Sequence, residues 1–149
     1  MRNIVVAIDF SDVSDRLVEE VAAVARARGG YLWLVHVAPP DPDFVGYEVG
    51  PQTERDRVAR ELRDDHRQLQ TIAEGLRARG LEATALLVQG PTVQTLLDEA
   101  EKLEADWIAL GSHGRGFAYR ALLGSVSEGV LRRAKVPVLI VPARPADGD

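Results

Sequence analysis

Apolar residues along the chain fall into short unbroken runs that alternate with stretches of helical period. Ile4-Val5-Val6-Ala7-Ile8 is the first run. Leu17, Val21, Val24 and Ala25 follow at the i, i+4, i+7, i+8 spacing of one buried helix face. Ser11 or Asp12 stands where a cap would start that helix, and Gly29-Gly30 where it would end. Tyr31 to Val37 predicts a second strand. Pro39, Pro40, Pro42 and Pro51, with Gly46 and Gly50, then break the rhythm. Residues 39–53 therefore read as a loop that is long for a compact domain, either a lid or binding segment or a plain connection.

A helix is expected from about Glu54 to Arg79, with Val58, Leu62, Leu69, Ile72, Ala73 and Leu76 on its apolar side. His66 lies on that side too, as a boundary residue or a ligand. Gly80 ends the helix and Glu82 to Val88 predicts a third strand. Gly90-Pro91 opens another helix, with proline at its first position and a face of Val93, Leu96, Leu97 and Ala100. Trp107 to Leu110 is a fourth strand, Ser125 to Arg133 a fourth helix, and Val136 to Val141 a last strand. Residues 143–149 read as a disordered tail after a domain spanning 1–142.

Strand and helix thus alternate four times and close on a strand. Nearly continuous apolar strands joined by helices mean a parallel sheet covered on both faces. Right-handed crossovers make it one doubly wound, Rossmann-like α/β domain. Ligands of such sheets bind outside the carboxyl ends of the strands, where strand order reverses. The places to look are Asp9-Phe10-Ser11, Val37-Ala38, Gln89-Gly90 and Gly111 onward.

Composition narrows the chemistry. The 149 residues are 46% hydrophobic and 28% charged, so a core can be buried without staples. There is no cysteine, which excludes disulfides, thiol catalysis and cysteine-type zinc sites. A net charge of −5 argues against a broad nucleic-acid surface. No signal-like segment or bilayer-spanning run is visible, and a cytoplasmic protein is expected.

One strand end stands out against that acidic background. From Gly111 to Ser125 the chain carries glycines at 111, 114, 116 and 124, no acidic residue, and positive charge on Arg115 and Arg120 beside His113. Glycine lets a backbone approach a ligand closely. The N–H groups of such a loop, and of the helix behind it, point at an anion, and phosphate is the natural guest. Ser125-Val126-Ser127-Glu128 has the spacing of a capping box, in which Ser125 caps the helix; its hydroxyl could also meet phosphate. There is no G-x-x-x-x-G-K-[ST], no complete G-x-G-x-x-G and no G-x-S-x-G.

Gly111, Gly114, Gly124 and Ser125 match G-x2-G-x9-G-[ST], and in this the chain resembles the ATP-binding branch of the universal stress proteins. The opening Ile4 to Asp9, Leu34-Val35-His36-Val37, Gly90-Pro91, Asp106 and Val136 to Pro142 also stand where that family has landmarks. The resemblance implies that Ala7 and Val37 offer backbone contacts to adenine. Asp9 would lie under the ribose or near a phosphate-bound metal, although an acid there can also cap a helix. Leu110, Gly111, His113, Gly114, Arg115, Gly124, Ser125, Val126 and Ser127 would line ribose and phosphates, mainly through backbone N–H groups. The cofactor implied is ATP, with Mg²⁺ brought by the phosphates.

The resemblance also implies strand order 3-2-1-4-5, which leaves the last strand at an edge. That strand is apolar, and an exposed apolar edge invites pairing. A homodimer through Val136, Val138, Leu139, Ile140 and Val141 is expected. The function implied is a nucleotide-binding regulatory or stress-response protein with an unknown protein partner. A slow ATPase or phosphotransferase is the enzymatic alternative, and a ligand-free interaction module the third. No paired carboxylates stand beside the glycine-rich segment to serve the enzymatic one.

Overall fold

A computed structural model of the chain describes residues 2–40, 52–113 and 123–143. The elements run β1 (Arg2–Ala7), α1 (Ser14–Arg28), β2 (Gly30–Ala38), α2 (Gln52–Ala78), β3 (Glu82–Gln89), α3 (Thr92–Lys102), β4 (Trp107–Gly111), α4 (Ser125–Arg133) and β5 (Val138–Val141). The five strands form one sheet in the order β3-β2-β1-β4-β5, and every pairing is parallel. This is the doubly wound order expected.

Strand alternation sorts the core into two layers. Ile4, Val6 and Ile8 of the first strand segment pack with Leu17, Val21, Leu32, Leu34, Leu69 and Leu76, under α1 and α2. Val5 faces the other way, with Val35, Leu96, Ile108, Leu110 and Val130, under α3 and α4. Each such side chain, withdrawn fully from water, contributes roughly 1.5–3 kcal/mol of hydrophobic stabilisation before entropy is counted. α2 buries only Leu69, Ala73 and Leu76. Its earlier apolar residues, Val58 and Leu62, are half-buried, as is His66. No described helix is long and apolar enough to cross a membrane.

β1 sits between β2 and β4, and the chain leaves and re-enters the sheet on opposite sides of it. At the amino ends of these strands the gap is stitched. The Asn3 N–H donates to Asp106 Oδ2 at 2.8 Å, and the Asp106 N–H donates to the Asn3 carbonyl at 2.8 Å. Asn3 Nδ2 donates to the Leu103 carbonyl at 3.0 Å, and Trp33 Nε1 donates to Asn3 Oδ1 at 3.3 Å. At the carboxyl ends no such stitch joins the described residues of β1 and β4.

Several element ends differ from the pattern-based expectation. Neither Ser11 nor Asp12 caps α1, whose N-cap is Val13 with no side-chain cap. Ser14 instead turns its hydroxyl to Asp9 Oδ1 at 3.2 Å, so the local acceptor is taken up by the preceding turn. Pro91 stands at the N-cap of α3 rather than inside it, with ψ 127°. β5 begins at Val138, after Pro137, which has no N–H to give a ladder; its carbonyl still accepts from the Ile108 N–H at 3.0 Å. Of the expected loop, residues 41–51 lie outside the described residues, as do residues 144–149 of the expected tail.

Candidate functional site

The carboxyl ends of β1, β2 and β4 and the starts of α1, α3 and α4 surround a cavity of about 390 Å³. Ala7, Asp9, Val37, Leu110, Gly111, His113, Gly124, Ser125, Val126 and Ser127 all line it, so these sequence-derived candidates are brought together. Gly114 and Arg115 lie outside the described residues, with the rest of segment 114–122. The lining combines apolar side chains (Val35, Val37, Leu96, Leu110, Val126) with polar ones (Asp9, Ser11, Ser14, Ser125). A ligand with an apolar part and a charged part would find partners for both.

Leu110 and Gly111 at the end of β4 line the cavity, and Ser112 follows them. An added Cβ on Gly111 would lie 2.7 Å from Val13 Cγ1, so only glycine lets the turn before α1 pack against this strand end. Ser112 is buried and faces away: its N–H donates to the Val141 carbonyl at 2.9 Å, and its Oγ accepts from the Ala143 N–H at 3.1 Å. Its carbonyl accepts from the Gly124 N–H at 2.6 Å, which draws the start of α4 back to the end of β4. Ser127, also buried, donates its hydroxyl to the Gly111 carbonyl at 2.6 Å and ties the first turn of α4 to the same place.

The capping box is not formed. The N-cap of α4 is Gly124, extended at φ −71° and ψ 164°, with no side-chain cap. Because the Gly124 N–H is anchored on Ser112, the helix begins one residue earlier than a Ser125 cap would allow. Ser125 is exposed inside the first turn, and the Glu128 carboxylate turns to Arg132 at 2.8 Å. The leading N–H groups of α4 therefore open on the cavity without a serine cap, and the helix dipole adds a partial positive charge there.

The opposite wall is the turn after β1. Ser11 donates its N–H to Asp9 Oδ1 at 2.9 Å, and Ser14 Oγ donates to the same oxygen. Both bonds fall on Oδ1. Between them Phe10 sits at φ 60°, a left-handed conformation that costs a bulky residue about 1–2 kcal/mol. Asp9 thus braces the turn and lines the cavity, and it does not cap α1.

Among the lining residues that were not site candidates in the sequence are the polar Ser14, His36 and Thr92. Thr92 comes directly after the Gly90-Pro91 turn, a strand end already singled out. His36 sits in an otherwise apolar strand, and that interruption was the available signal.

The universal stress protein family model matches residues 1–142. The chain belongs to the universal stress protein family. It is 32% identical to the universal stress protein encoded in the QAH/OAS sulfhydrylase 3′ region of Thermus aquaticus, over 94% of this chain and 98% of that one. The solved structure of hypothetical protein MJ0577 aligns with a TM-score of 0.84 at 24% identity, covering 97% of this chain and 98% of that chain, a likeness of fold. A universal stress protein solved in complex with cAMP aligns with a TM-score of 0.64 at 27% identity, covering 95% and 96%. The universal stress protein fold thus accounts for the parallel sheet and for a crevice at its switch point.

Proposed function

We propose that the cavity holds an adenine nucleotide, ATP by preference, and that this universal stress protein acts as a nucleotide-binding regulator rather than a fast enzyme. The observation that carries the reading is the start of α4: a helix without a side-chain cap whose residues Gly124, Ser125, Val126 and Ser127 line a cavity that also has apolar side chains. Adenine would lie along Ala7, Val37 and Leu110, and phosphates would lie against Gly111, His113, Gly124, Ser125, Val126 and Ser127. Gly114 and Arg115 would extend the phosphate cradle. The relative bound to cAMP supports an adenine nucleotide in a site of this kind.

The donor set fits Mg²⁺ only as a companion of the phosphates. Among the described residues no group of three or more His, Asp or Glu side chains could hold a metal ion. Asp9 is the one carboxylate in the described lining. It would give one oxygen, with phosphates and water giving the rest, as this hard cation prefers. When bound, the ion would neutralise phosphate charge.

The homodimer belongs to the same proposal. β5 is an edge strand whose Val138, Leu139 and Ile140 are half-buried in the single chain. Pairing that edge with a second copy, with Val136 and Val141 at its ends, would cover it. Light scattering at micromolar concentration tests this, and a monomer there would refute it.

The test of the nucleotide reading is thermal. ATP with Mg²⁺ at about 100 times its Kd adds roughly 2.7 kcal/mol to stability and raises Tm. Gly124→Val, which alters the start of α4, should remove that rise. A full ATP response in the variant would sink the assignment.

A further inference from the structure

His36 ends the run of β2 residues that face α1 and α2, and both of its ring nitrogens meet acceptors on other elements. Nδ1 lies 2.7 Å from the Ile8 carbonyl, so this nitrogen carries the proton and donates. Nε2 lies 3.5 Å from Asp65 Oδ2 on α2. The Phe10 ring rests on the imidazole with centroids 4.6 Å apart. Ile8 and Phe10 flank Asp9, and Phe10 is held at φ 60°. The backbone on both sides of the cavity-lining carboxylate thus meets one imidazole, beside the packing of Phe10 against the core under α1 and α2. Asp65 of α2 lies on the other side of that imidazole.

We infer that His36 is a positioning residue of this cavity, acting through Ile8 and Phe10 on the turn that presents Asp9. A left-handed phenylalanine does not persist unless its surroundings hold it. On one side Ser11 and Ser14 grip Asp9 Oδ1. On the other, the imidazole pins the Ile8 carbonyl and props the Phe10 ring. Releasing the second grip lets Phe10 relax to negative φ, and the carboxylate then turns away from where ribose or a phosphate-bound cation would lie. The two nitrogens differ in what they do. Nδ1–H bonds the turn, and Nε2 lies on the side of Asp65. The inference rests on the nucleotide reading only for its consequence in binding. The turn itself can be tested in the protein alone.

Histidine has two partial mimics that separate these tasks. Asparagine places an amide N–H near Nδ1, and glutamine places one near Nε2. In the full chain without nucleotide, hydrogen exchange of the Ser11 amide, read by NMR, reports whether the turn is held. In His36→Gln and His36→Leu this amide should exchange about tenfold faster, the equivalent of one net hydrogen bond, whereas His36→Asn should stay within about threefold of the parent. The ATP Kd from calorimetry should follow the same order, about tenfold weaker for His36→Gln and near parental for His36→Asn. A general packing role would place asparagine and glutamine together, so equal Ser11 exchange in those two variants overturns the inference. Unchanged Ser11 exchange in all three overturns it as well. If the parent binds no ATP while Ser11 responds as stated, the nucleotide reading fails and the positioning of the turn stands.

Discussion

The two ends of the β1–β4 pair are built from similar materials and do opposite things. At the amino ends, Asn3 and Asp106 satisfy one another and the Leu103 carbonyl, and Trp33 adds its indole N–H. Polar groups there are used up by polar groups, and the gap is shut. At the carboxyl ends, α4 starts on Gly124 without a side-chain cap, Asp9 is bonded through one oxygen, and Ser125 is exposed. Those groups line a cavity of about 390 Å³. Helix-start N–H groups without a side-chain cap and a carboxylate beside a shared hollow can still take partners, so this is the end to which a ligand can contribute, and the stitched end is the one that holds the sheet.

Four substitutions sharpen or break that contrast. Gly111→Val should have the largest effect, because its side chain would be forced into Val13. Overpacking of this kind costs about 3 kcal/mol at the upper end. Urea unfolding should show that loss, and the ATP-induced rise in Tm should vanish with it. Asn3→Ala should cost about 2 kcal/mol, since Leu103 and Trp33 lose partners at the stitched end. Its ATP response should stay intact; a lost response would mean the two ends are not separable.

Ser127→Ala should cost about 1 kcal/mol by leaving the Gly111 carbonyl without its donor. This carbonyl lies at the cavity, so ATP affinity should weaken severalfold in calorimetry, unlike for Asn3→Ala. Glu19→Gln belongs to neither end and should change stability by less than about 0.5 kcal/mol, as exposed ion pairs do. The Arg79 hydrogen bond holds the Glu19 carboxyl below its ordinary value, with the charges of Arg79 and Arg26 helping and desolvation opposing. A depressed carboxylate stabilises the fold above its unfolded-state value and loses that contribution as pH falls through the folded one. Acid titration of the two proteins should therefore show a small gap at neutral pH that closes below the carboxylate range. A gap that grows toward acid would contradict the assignment.

The periodicities of the chain were enough for the elements. Short unbroken apolar runs such as Ile4 to Ile8, bounded by helical patterns and turn residues, fit strands buried on both faces, and the i, i+4, i+7, i+8 spacing of Leu17 onward fits a helix with one buried face. The glycines from 111 to 124 and the absence of acid among them marked the strand end where a ligand could lie. Local rules failed where a side chain had two partners to choose from. Ser125 has the spacing of a cap, but the Gly124 N–H bonds to the Ser112 carbonyl and moves the helix start. Ser11 or Asp12 stood where a cap for α1 was expected, but the helix starts after Val13 with no side-chain cap.

Sequence by itself determined the alternation of strands and helices and the chemical character of the loop after β4, because each depends on the spacing and type of near neighbours in the chain; the strand order came only as what the family resemblance implies. Tertiary structure alone decided that Asp9, Val37, Thr92 and Ser125 border one hollow and that His36 reaches the Ile8 carbonyl. Those contacts span tens of residues. They depend on strand register and on which side each crossover takes, so no local pattern carries them.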